Sequence, residues 1–311
     1  MSLKSKLNVL PENTEESIGR FPSWLHRSIP SGGKIAETNR ILSELGLNTV
    51  CEEAKCPNRM ECYSHNTATF LALGKSCTRA CGFCDIDFTK SPKAPDVNEP
   101  QKIADAVKAL KLKHVVITMV ARDDLEDKGS FAMAAIIKRV KLCNPLVTLE
   151  VLVSDFSFQK ESIEEIVNAA PDIFNHNLET VERLTPRIRH VATYRRSLEV
   201  LKYVKTLNPS MVTKSGMMLG LGETSEEVLQ SIEDCKAIGL DILTLGQYLQ
   251  ASRLKIPVKE FVTPEKFKMY EEYALSIGIK EVFSGPFVRS SYHAFDVKKN
   301  LDEKLLKESL I

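Results

Sequence analysis

The sequence has little of what marks several common classes of protein. Lys and Arg number 42 against 41 Asp and Glu, a formal net charge of +1 over 311 residues. No electrostatic case therefore exists for a nucleic-acid partner or an anionic membrane surface. No apolar stretch approaches the roughly 18 residues that a membrane helix needs. Met1 to Glu16 has neither the charged and apolar regions of a secretory signal nor the Arg-rich, acid-poor character of a transit peptide. The six histidines show no metal-ligand spacing, and no G-x4-G-K-S/T phosphate loop occurs. The only tryptophan, Trp24, is read as pinning the N-terminal segment onto the core rather than touching a ligand. These absences point to a cytoplasmic protein, with no nucleic acid and no membrane among its partners.

What is present is cysteine in an organised form. Eight cysteines without a secretory signal suggest a reducing compartment, where clustered thiols bind metal rather than pair as disulfides. Three of them stand in Cys77-Thr78-Arg79-Ala80-Cys81-Gly82-Phe83-Cys84, a C-x3-C-x2-C spacing just after the apolar run Thr69–Leu73. A [4Fe–4S] cluster usually takes four thiolates, so a loop that offers three leaves one iron open to a non-protein ligand. Ala80 and Gly82 are small, which lets the backbone pass close to such a cluster. A zinc knuckle is the competing reading, but zinc loops usually supply C-x2-C pairs and close with four ligands.

A second triplet precedes the first: Cys51, Cys56 and Cys62, with Pro57 and Asn58 breaking any helix between them. Alone it would pass for three buried small hydrophobes. Two triplets so close together, in a chain otherwise poor in cysteine, call for two metal clusters, with a multinuclear six-thiolate zinc site as the rival. Cys143 and Cys235 stand alone in helical segments and read as packing residues.

The rest of the chain alternates. Strand-like runs at 69–73, 114–120, 147–153, 172–177, 211–219 and 241–248 are separated by amphipathic segments near 100–111, 130–142, 159–170, 194–207, 224–238 and 264–277. Six β-then-α units with almost continuously apolar strands predict an α/β fold with a parallel sheet curled into a partial (β/α)6 TIM-like barrel, plus a short seventh strand at 280–284. Chemistry in such folds gathers at the C-terminal ends of the strands. Those ends hold the cluster loop, Arg122-Asp123-Asp124, His176-Asn177-Leu178-Glu179-Thr180, Gly220-Leu221-Gly222-Glu223-Thr224 and Gly246-Gln247-Tyr248. Each polar residue there is either a partner for a cofactor or an ordinary strand-end cap. His176 reads as a hydrogen-bonded structural histidine.

These residues together resemble a known family. The C-x3-C-x2-C loop is the signature of radical S-adenosylmethionine enzymes, and the fuller match is to the lipoyl synthases. It rests on both triplets, Ala68-Thr69-Phe70, Arg122-Asp123-Asp124-Leu125, Asn175-His176-Asn177-Leu178-Glu179-Thr180, Met218–Thr224, Gly246–Gln250 and Arg289-Ser290-Ser291-Tyr292. Val120-Ala121 and Ala251 depart mildly from the usual pattern.

The resemblance implies two [4Fe–4S] clusters and S-adenosylmethionine. Cys77, Cys81 and Cys84 would hold the cluster that binds and cleaves S-adenosylmethionine. Cys51, Cys56 and Cys62, with Ser291 as fourth ligand and Ser290 as the fallback, would hold an auxiliary cluster that donates sulfur. Asn177 and Glu179 would contact S-adenosylmethionine. The implied reaction is a sulfur transfer, inserting two sulfur atoms at C6 and C8 of a protein-bound octanoyl-lysine to give lipoyl-lysine. These carbons carry no acidic proton, and radical chemistry belongs to the cofactor rather than to side chains.

The implied partners are octanoylated lipoyl carrier domains (the E2 subunits of 2-oxoacid dehydrogenases and the glycine-cleavage H protein), an electron donor such as flavodoxin or ferredoxin, and a cluster-carrier protein. The implied organisation is an N-terminal extension at 1–66 with the auxiliary-cluster cysteines, the barrel at 67–285, and a C-terminal extension at 286–311 with the Arg-Ser-Ser-Tyr motif. Other sulfur-inserting radical enzymes are the nearest rivals, of biotin-synthase or methylthiotransferase type. The methylthiotransferase would be expected to carry a basic RNA-binding appendage. A two-cluster electron carrier needs four protein ligands per cluster and no large barrel.

Overall fold

Seven strands run parallel in one sheet, and each of the first six is followed by a helix. The computed structural model describes residues 21–26, 33–64 and 68–291. The N-terminal part supplies α1 (Gly33–Glu44), β1 (Asn48–Thr49), α2 (Val50–Glu53) and α3 (Arg59–Ser64). The repeating part then runs β2 (Thr69–Ala72), a small β3–β4 ladder (Ser76–Cys77 and Asp87–Phe88) and α4 (Glu99–Ala109). It continues with β5 (His114–Met119), α5 (Ser130–Cys143), β6 (Thr148–Leu152), α6 (Lys160–Asn168) and β7 (Ile173–Asn175). After α7 (Thr185–Ile188) and α8 (Tyr194–Leu207) come β8 (Val212–Leu219), α9 (Ser225–Ala237), β9 (Ile242–Gln247), α10 (Pro264–Ser276) and β10 (Glu281–Gly285). The sheet order is β1-β2-β5-β6-β7-β8-β9-β10, with only β1 antiparallel to its neighbour.

Local chemistry accounts for these boundaries. Thr224 and Glu227 close α9 with a reciprocal capping box. Thr193 and Thr263 accept from the third residue of α8 and α10, and Pro264 opens the latter. In α1, Thr38, Ile41 and Leu42 turn inward, and Gly46 ends the segment with φ +62°. All six residues of β5 and of β9 are buried, as strands covered on both faces must be.

One register row crosses every parallel strand: Leu71, Thr118, Leu152, Asn175, Lys214, Ile242 and Glu281. Its neighbours two residues away share the same, inward face. On that face Ile173, Ile242, Val212 and Phe283 form a small apolar plug, separate from the large core packed between the outer face and the helices. Above the plug lies a buried ion pair, Lys214 Nζ to Glu150 Oε2 at 2.9 Å, with Asn175 Nδ2 donating to Glu150 Oε1 at 2.8 Å.

The predicted strands and helices agree with the observed ones to within a few residues, including the seventh strand. Two expectations do not hold. Trp24 remains 37% exposed, and Phe21, whose ring lies 5.5 Å from that of Phe261, is 56% exposed, so neither aromatic pins the segment deeply. Cys143 is exposed at the end of α5, because the last turn of that helix overhangs the core; Cys235 is buried as expected. The sequence predicts a peripheral helix in the Lys-, Glu- and Leu-rich stretch 297–311 and a structural role for His293; both, with Met1–Glu16 and Tyr292, fall outside the described residues. Among the described residues no helix is long and apolar enough to cross a membrane.

The C-terminal segment after β10 is laid across β9 at a point that permits no side chain. A Cβ at Gly246 would stand 2.0 Å from the carbonyl oxygen of Val288, whereas at Gly285 it would meet only Val288 Cγ2 at 3.6 Å. Gly246→Ala should therefore lower unfolding free energy by about 1–3 kcal/mol, with Gly285→Ala costing less than about 1.5 kcal/mol. Denaturant unfolding of the two variants checks the difference.

Candidate active-site cavity

The strand ends and their loops enclose a cavity of about 520 Å³. Its walls include Leu71, Thr118, Leu152, Met218 and Gln247, which come from strands on both sides of the sheet and show that it curls around the space. Opening onto this one cavity are Cys77, Cys81 and Cys84, Cys56 of the second triplet, and Ser290 and Ser291. Asn177 and Glu179 line it too. The eight cysteines form no disulfide.

The loop bearing Cys77, Cys81 and Cys84 is fastened at every turn. Thr78 N–H donates to the carbonyl of Ala121 at 3.0 Å, Cys84 N–H to that of Cys81 at 3.1 Å, and Gly82 N–H to that of Ile188 at 2.9 Å. Asp85 accepts from Ser252 Oγ at 2.9 Å and pairs with Lys55 at 2.6 Å, which ties the loop to the residue before Cys56. Gly82 is needed for a close approach, but to protein: a Cβ there would lie 2.5 Å from Ile256 Cδ1. Ala80 is exposed and approaches nothing in the cavity.

Burial pushes the thiols of Cys77 and Cys81 up and that of Cys84 up to about 12, and the nearby Cys77 and Cys81 raise Cys84 further. Burial likewise pushes Cys51 up to about 12, with Cys56 adding to the effect. A buried thiol of this kind becomes a thiolate only when a cation compensates it. The donor set facing the cavity is made of thiols and two serine hydroxyls, and thiolates are the ligands that iron–sulfur clusters take.

The second triplet and the C-terminal segment are tied by a buried hydrogen bond. Asn58, 1% exposed, donates from Nδ2 to the carbonyl of Phe287 at 2.8 Å. That bond brings the Cys56–Cys62 turn against the strand that leads into Arg289-Ser290-Ser291. Cys51 sits in α2, capped by Thr49, whose hydroxyl is also 2.8 Å from Tyr63 OH.

Most of the polar strand-end residues turn out to be spent inside the protein. Arg122 is buried and forks onto Asp124 at 2.8–2.9 Å. Asp123 holds Arg79 and Thr78. Glu223 accepts from the N–H groups of Gly220 and Leu221, closing that turn on itself. Gln247 donates to the carbonyls of Leu219, Tyr248 and Glu260 and accepts from Val262 N–H. Each of these groups is thus committed to a neighbouring loop or backbone group, as the strand-end capping reading expects.

Asn177 is different. Its Nδ2 donates to Glu179 Oε1 at 3.1 Å, while its buried Oδ1 meets no protein donor. Glu179 has φ +68°, an unusual value for a non-glycine residue, and burial raises its pKa although Arg189 and Asn177 oppose the rise. His176 uses both ring nitrogens, Nδ1 with the Val153 carbonyl at 2.8 Å and Nε2 with Ser197 Oγ at 3.0 Å. It is a structural histidine, as expected.

Sequence reasoning passed over Arg79, Asp155 and Arg189, all of which line the cavity. Asp155 follows the third parallel strand, so the same strand-end rule would have found it. Arg79 and Arg189 gave no signal, because a lone arginine in a polar loop reads as solvated.

Similarity to known proteins agrees with this geometry. A family model described as the radical SAM superfamily matches residues 71–235, and one described as the N-terminal domain of lipoyl synthase matches residues 3–56. Lipoyl synthase of Protochlamydia amoebophila is 52% identical over 307 residues, covering 96% of this chain and 95% of that protein. Lipoyl synthase of Chlamydia felis is 50% identical over 294 residues, covering 94% of each. Among solved structures, SuiB of Streptococcus suis bound to S-adenosylmethionine superposes with a TM-score of 0.55 at 12% identity, over 73% of this chain and 53% of that one. Methylornithine synthase gives 0.50 at 12% identity, over 88% of this chain and 95% of that one. At such low identity the two structures speak for the fold alone.

His176 makes the cavity wall sensitive to acid. Burial, assisted by Arg189, pushes its pKa down from 6.5 to about 4. Below pH 6.5 the unfolded chain takes up a proton that the folded one refuses until about pH 4, so stability falls as pH drops through that window. About 2 kcal/mol should be lost between pH 7 and pH 5 through this residue. Urea unfolding at the two pH values should show that loss in the unmodified protein and not in His176→Gln.

Proposed function

The chain belongs to the lipoyl synthase family of the radical S-adenosylmethionine superfamily, and we propose that the 520 Å³ cavity is where its sulfur-insertion chemistry takes place. The substrate class is a protein-bound octanoyl group, and the product carries sulfur at C6 and C8. The observation that supports this reading most is the convergence of Cys77, Cys81, Cys84, Cys56, Ser290 and Ser291 on one cavity. The family uses two [4Fe–4S] clusters, one that cleaves S-adenosylmethionine by one-electron transfer and one that supplies sulfur. The residues of the chain bind, orient and screen that chemistry.

Cys77, Cys81 and Cys84 would hold the first cluster, which would supply the electron that cleaves S-adenosylmethionine. The unpartnered Oδ1 of Asn177 accepts from an amino or hydroxyl group of that molecule, and Glu179 beside it takes a second donor. Cys51, Cys56 and Cys62 hold the auxiliary cluster, with Ser291 as its fourth ligand and Ser290 as the alternative. A hard alkoxide is a poor match for cluster iron, so Ser291 would hold that cluster less firmly than the three thiolates do. The apolar wall of Leu71, Leu152, Val153 and Met218 accommodates the octanoyl chain and keeps water from the reacting carbons.

The carrier is an octanoylated lipoyl domain, such as that of a 2-oxoacid dehydrogenase E2 subunit or the glycine-cleavage H protein. Flavodoxin or ferredoxin supplies electrons, a cluster-carrier protein rebuilds the sacrificed cluster, and the setting is cytoplasmic.

The two clusters separate by mutation. A triple Cys51→Ala, Cys56→Ala, Cys62→Ala variant should still convert S-adenosylmethionine to 5′-deoxyadenosine but form no carbon–sulfur bond. The triple Cys77→Ala, Cys81→Ala, Cys84→Ala variant should make neither product. Glu179→Gln should weaken S-adenosylmethionine binding about 10- to 150-fold, the loss of about 1.5–3 kcal/mol for a hydrogen bond to a charged partner. For sulfur, protein reconstituted with heavy sulfide and given an octanoylated lipoyl-domain peptide should yield heavy-sulfur product by mass spectrometry. Light sulfur alone would remove the auxiliary cluster as donor.

A further inference from the structure

Arg79 lies inside the cluster loop, between Cys77 and Cys81, and none of the chemistry above employs it. It is only 7% exposed although it sits at a cavity rim. Its guanidinium is gripped from two sides. Nε and NH2 fork onto Asp123, beyond β5, at 2.8 Å each, and NH1 meets Asp155, beyond β6, at 2.7 Å. Asp155 has no exposure, accepts Ser157 N–H at 3.1 Å, and pairs with a second cation, Arg196 in α8, at 3.3 Å. Asp123 also accepts from Thr78 Oγ1, and its own N–H donates back to that hydroxyl, both at 3.0 Å.

The chain accepts strain to place Asp155. Phe156, Ser157 and Phe158 follow it with φ of +47°, +53° and +61°, three consecutive non-glycine residues in the left-handed region. A buried ion pair returns little net stability, because desolvation offsets attraction. Strain and buried charge together mark a geometry that is held for some reason other than stability.

The geometry so held includes a hydrogen bond to a cluster ligand. The N–H of Arg79 donates to Cys77 Sγ at 3.3 Å. Hydrogen bonds to cluster sulfurs are among the determinants of reduction potential. An N–H drawn onto a thiolate withdraws negative charge, which favours the reduced cluster and raises its potential. Only a planar fork can engage Asp123 in two bonds while presenting a third donor to Asp155.

We propose that Arg79 is a positioning residue for the radical-forming cluster: clamped between Asp123 and Asp155, it keeps its own N–H on the sulfur of Cys77 and so keeps the cluster reducible. The inference rests on the assignment of Cys77, Cys81 and Cys84 as ligands of the S-adenosylmethionine-binding cluster. Arg79→Lys keeps the charge but loses the fork; Asp155→Asn keeps the bond from Ser157 but loosens the clamp from the other side.

The test is a redox titration of the reconstituted holoenzymes, following the electron paramagnetic resonance signal that changes when S-adenosylmethionine is added. Both variants should retain their iron and bind S-adenosylmethionine within about twofold of the unmodified protein. At a fixed ambient potential the ratio of reduced to oxidised cluster should fall about tenfold, a midpoint shift of about 59 mV for one electron. Formation of 5′-deoxyadenosine should fall with a mild reductant and recover with titanium(III) citrate. The double variant should shift no further than the larger single shift, since both changes open one clamp. Full iron with an unmoved midpoint overturns the proposal. So does loss of the cluster in both variants, which would make the clamp a folding element. If the unmodified protein showed no signal responsive to S-adenosylmethionine, the cluster assignment would fail first, and this inference with it.

Discussion

The register row that runs from Leu71 through Thr118, Leu152, Asn175 and Lys214 to Ile242 and Glu281 carries the whole cavity. Because side chains alternate with a period of two, a slip of one residue in any strand would send its inward set to the helix-covered face. In-register parallel pairing across all seven strands puts the row on the inside, with apolar cavity wall above and an apolar plug below. Between the two the barrel buries Lys214 and Glu150 against each other at 2.9 Å. Such a pair is expensive to break, since removing one partner strands the other charge in the interior. It therefore specifies the register more sharply than the surrounding aliphatic residues can, whose shapes are partly interchangeable.

The same logic governs the rim. Arg79, Arg122 and Arg189 are all buried or nearly so, and each is met by carboxylates or carbonyls supplied from a different strand end. Asp155 shows the balance of terms: burial works against its ionisation, yet Arg79 and other positive groups hold its carboxyl down at about 2. Charge is thus used at the rim to fix loops rather than to face solvent. A loop fixed in this way can present three thiols at constant spacing without a disulfide or a helix to support it. The few polar atoms left without protein partners, such as Asn177 Oδ1, then stand out as places for a ligand.

Much of this was legible in the residues alone. The alternation of apolar runs with capped amphipathic segments located six βα units and a seventh strand, because a parallel strand covered on both faces leaves an unbroken hydrophobic signature. The two cysteine triplets were equally plain, since thiols clustered at short spacing in a reducing compartment rarely serve anything but metal. The roles of Arg122, Asp123, Glu223 and Gln247 were not legible. Whether a strand-end polar group serves a cofactor or a neighbouring backbone depends on which loops arrive beside it, and spacing along the chain does not record that. Gly246 is of the same kind: its need for a bare Cα comes from Val288, distant in sequence, whose carbonyl crosses above it. Trp24 misled because size suggests an anchor, whereas the side chain is only partly covered.

The two sets of proposed ligands differ in what brings them together. Cys77, Cys81 and Cys84 belong to one short loop, so closing them around a cluster orders only a few residues. Cys51 and Ser291 stand near opposite ends of the described chain, so a cluster sharing them would need the sheet between them to have formed. Loop-closure entropy rises slowly with length, by about 0.6 kcal/mol per doubling, so separation alone is a modest obstacle. What matters is that the contacts holding Ser291 in place are themselves tertiary: the Asn58 bond to Phe287 and the bare crossing at Gly246. An auxiliary cluster built across that junction would draw on the folded barrel for its fourth ligand, and the cluster could be dismantled and rebuilt without disturbing the sheet. The loop of Cys77, Cys81 and Cys84 draws on no such seam: Asp123 and Asp155, which grip Arg79 within it, stand beyond two neighbouring strands of the sheet.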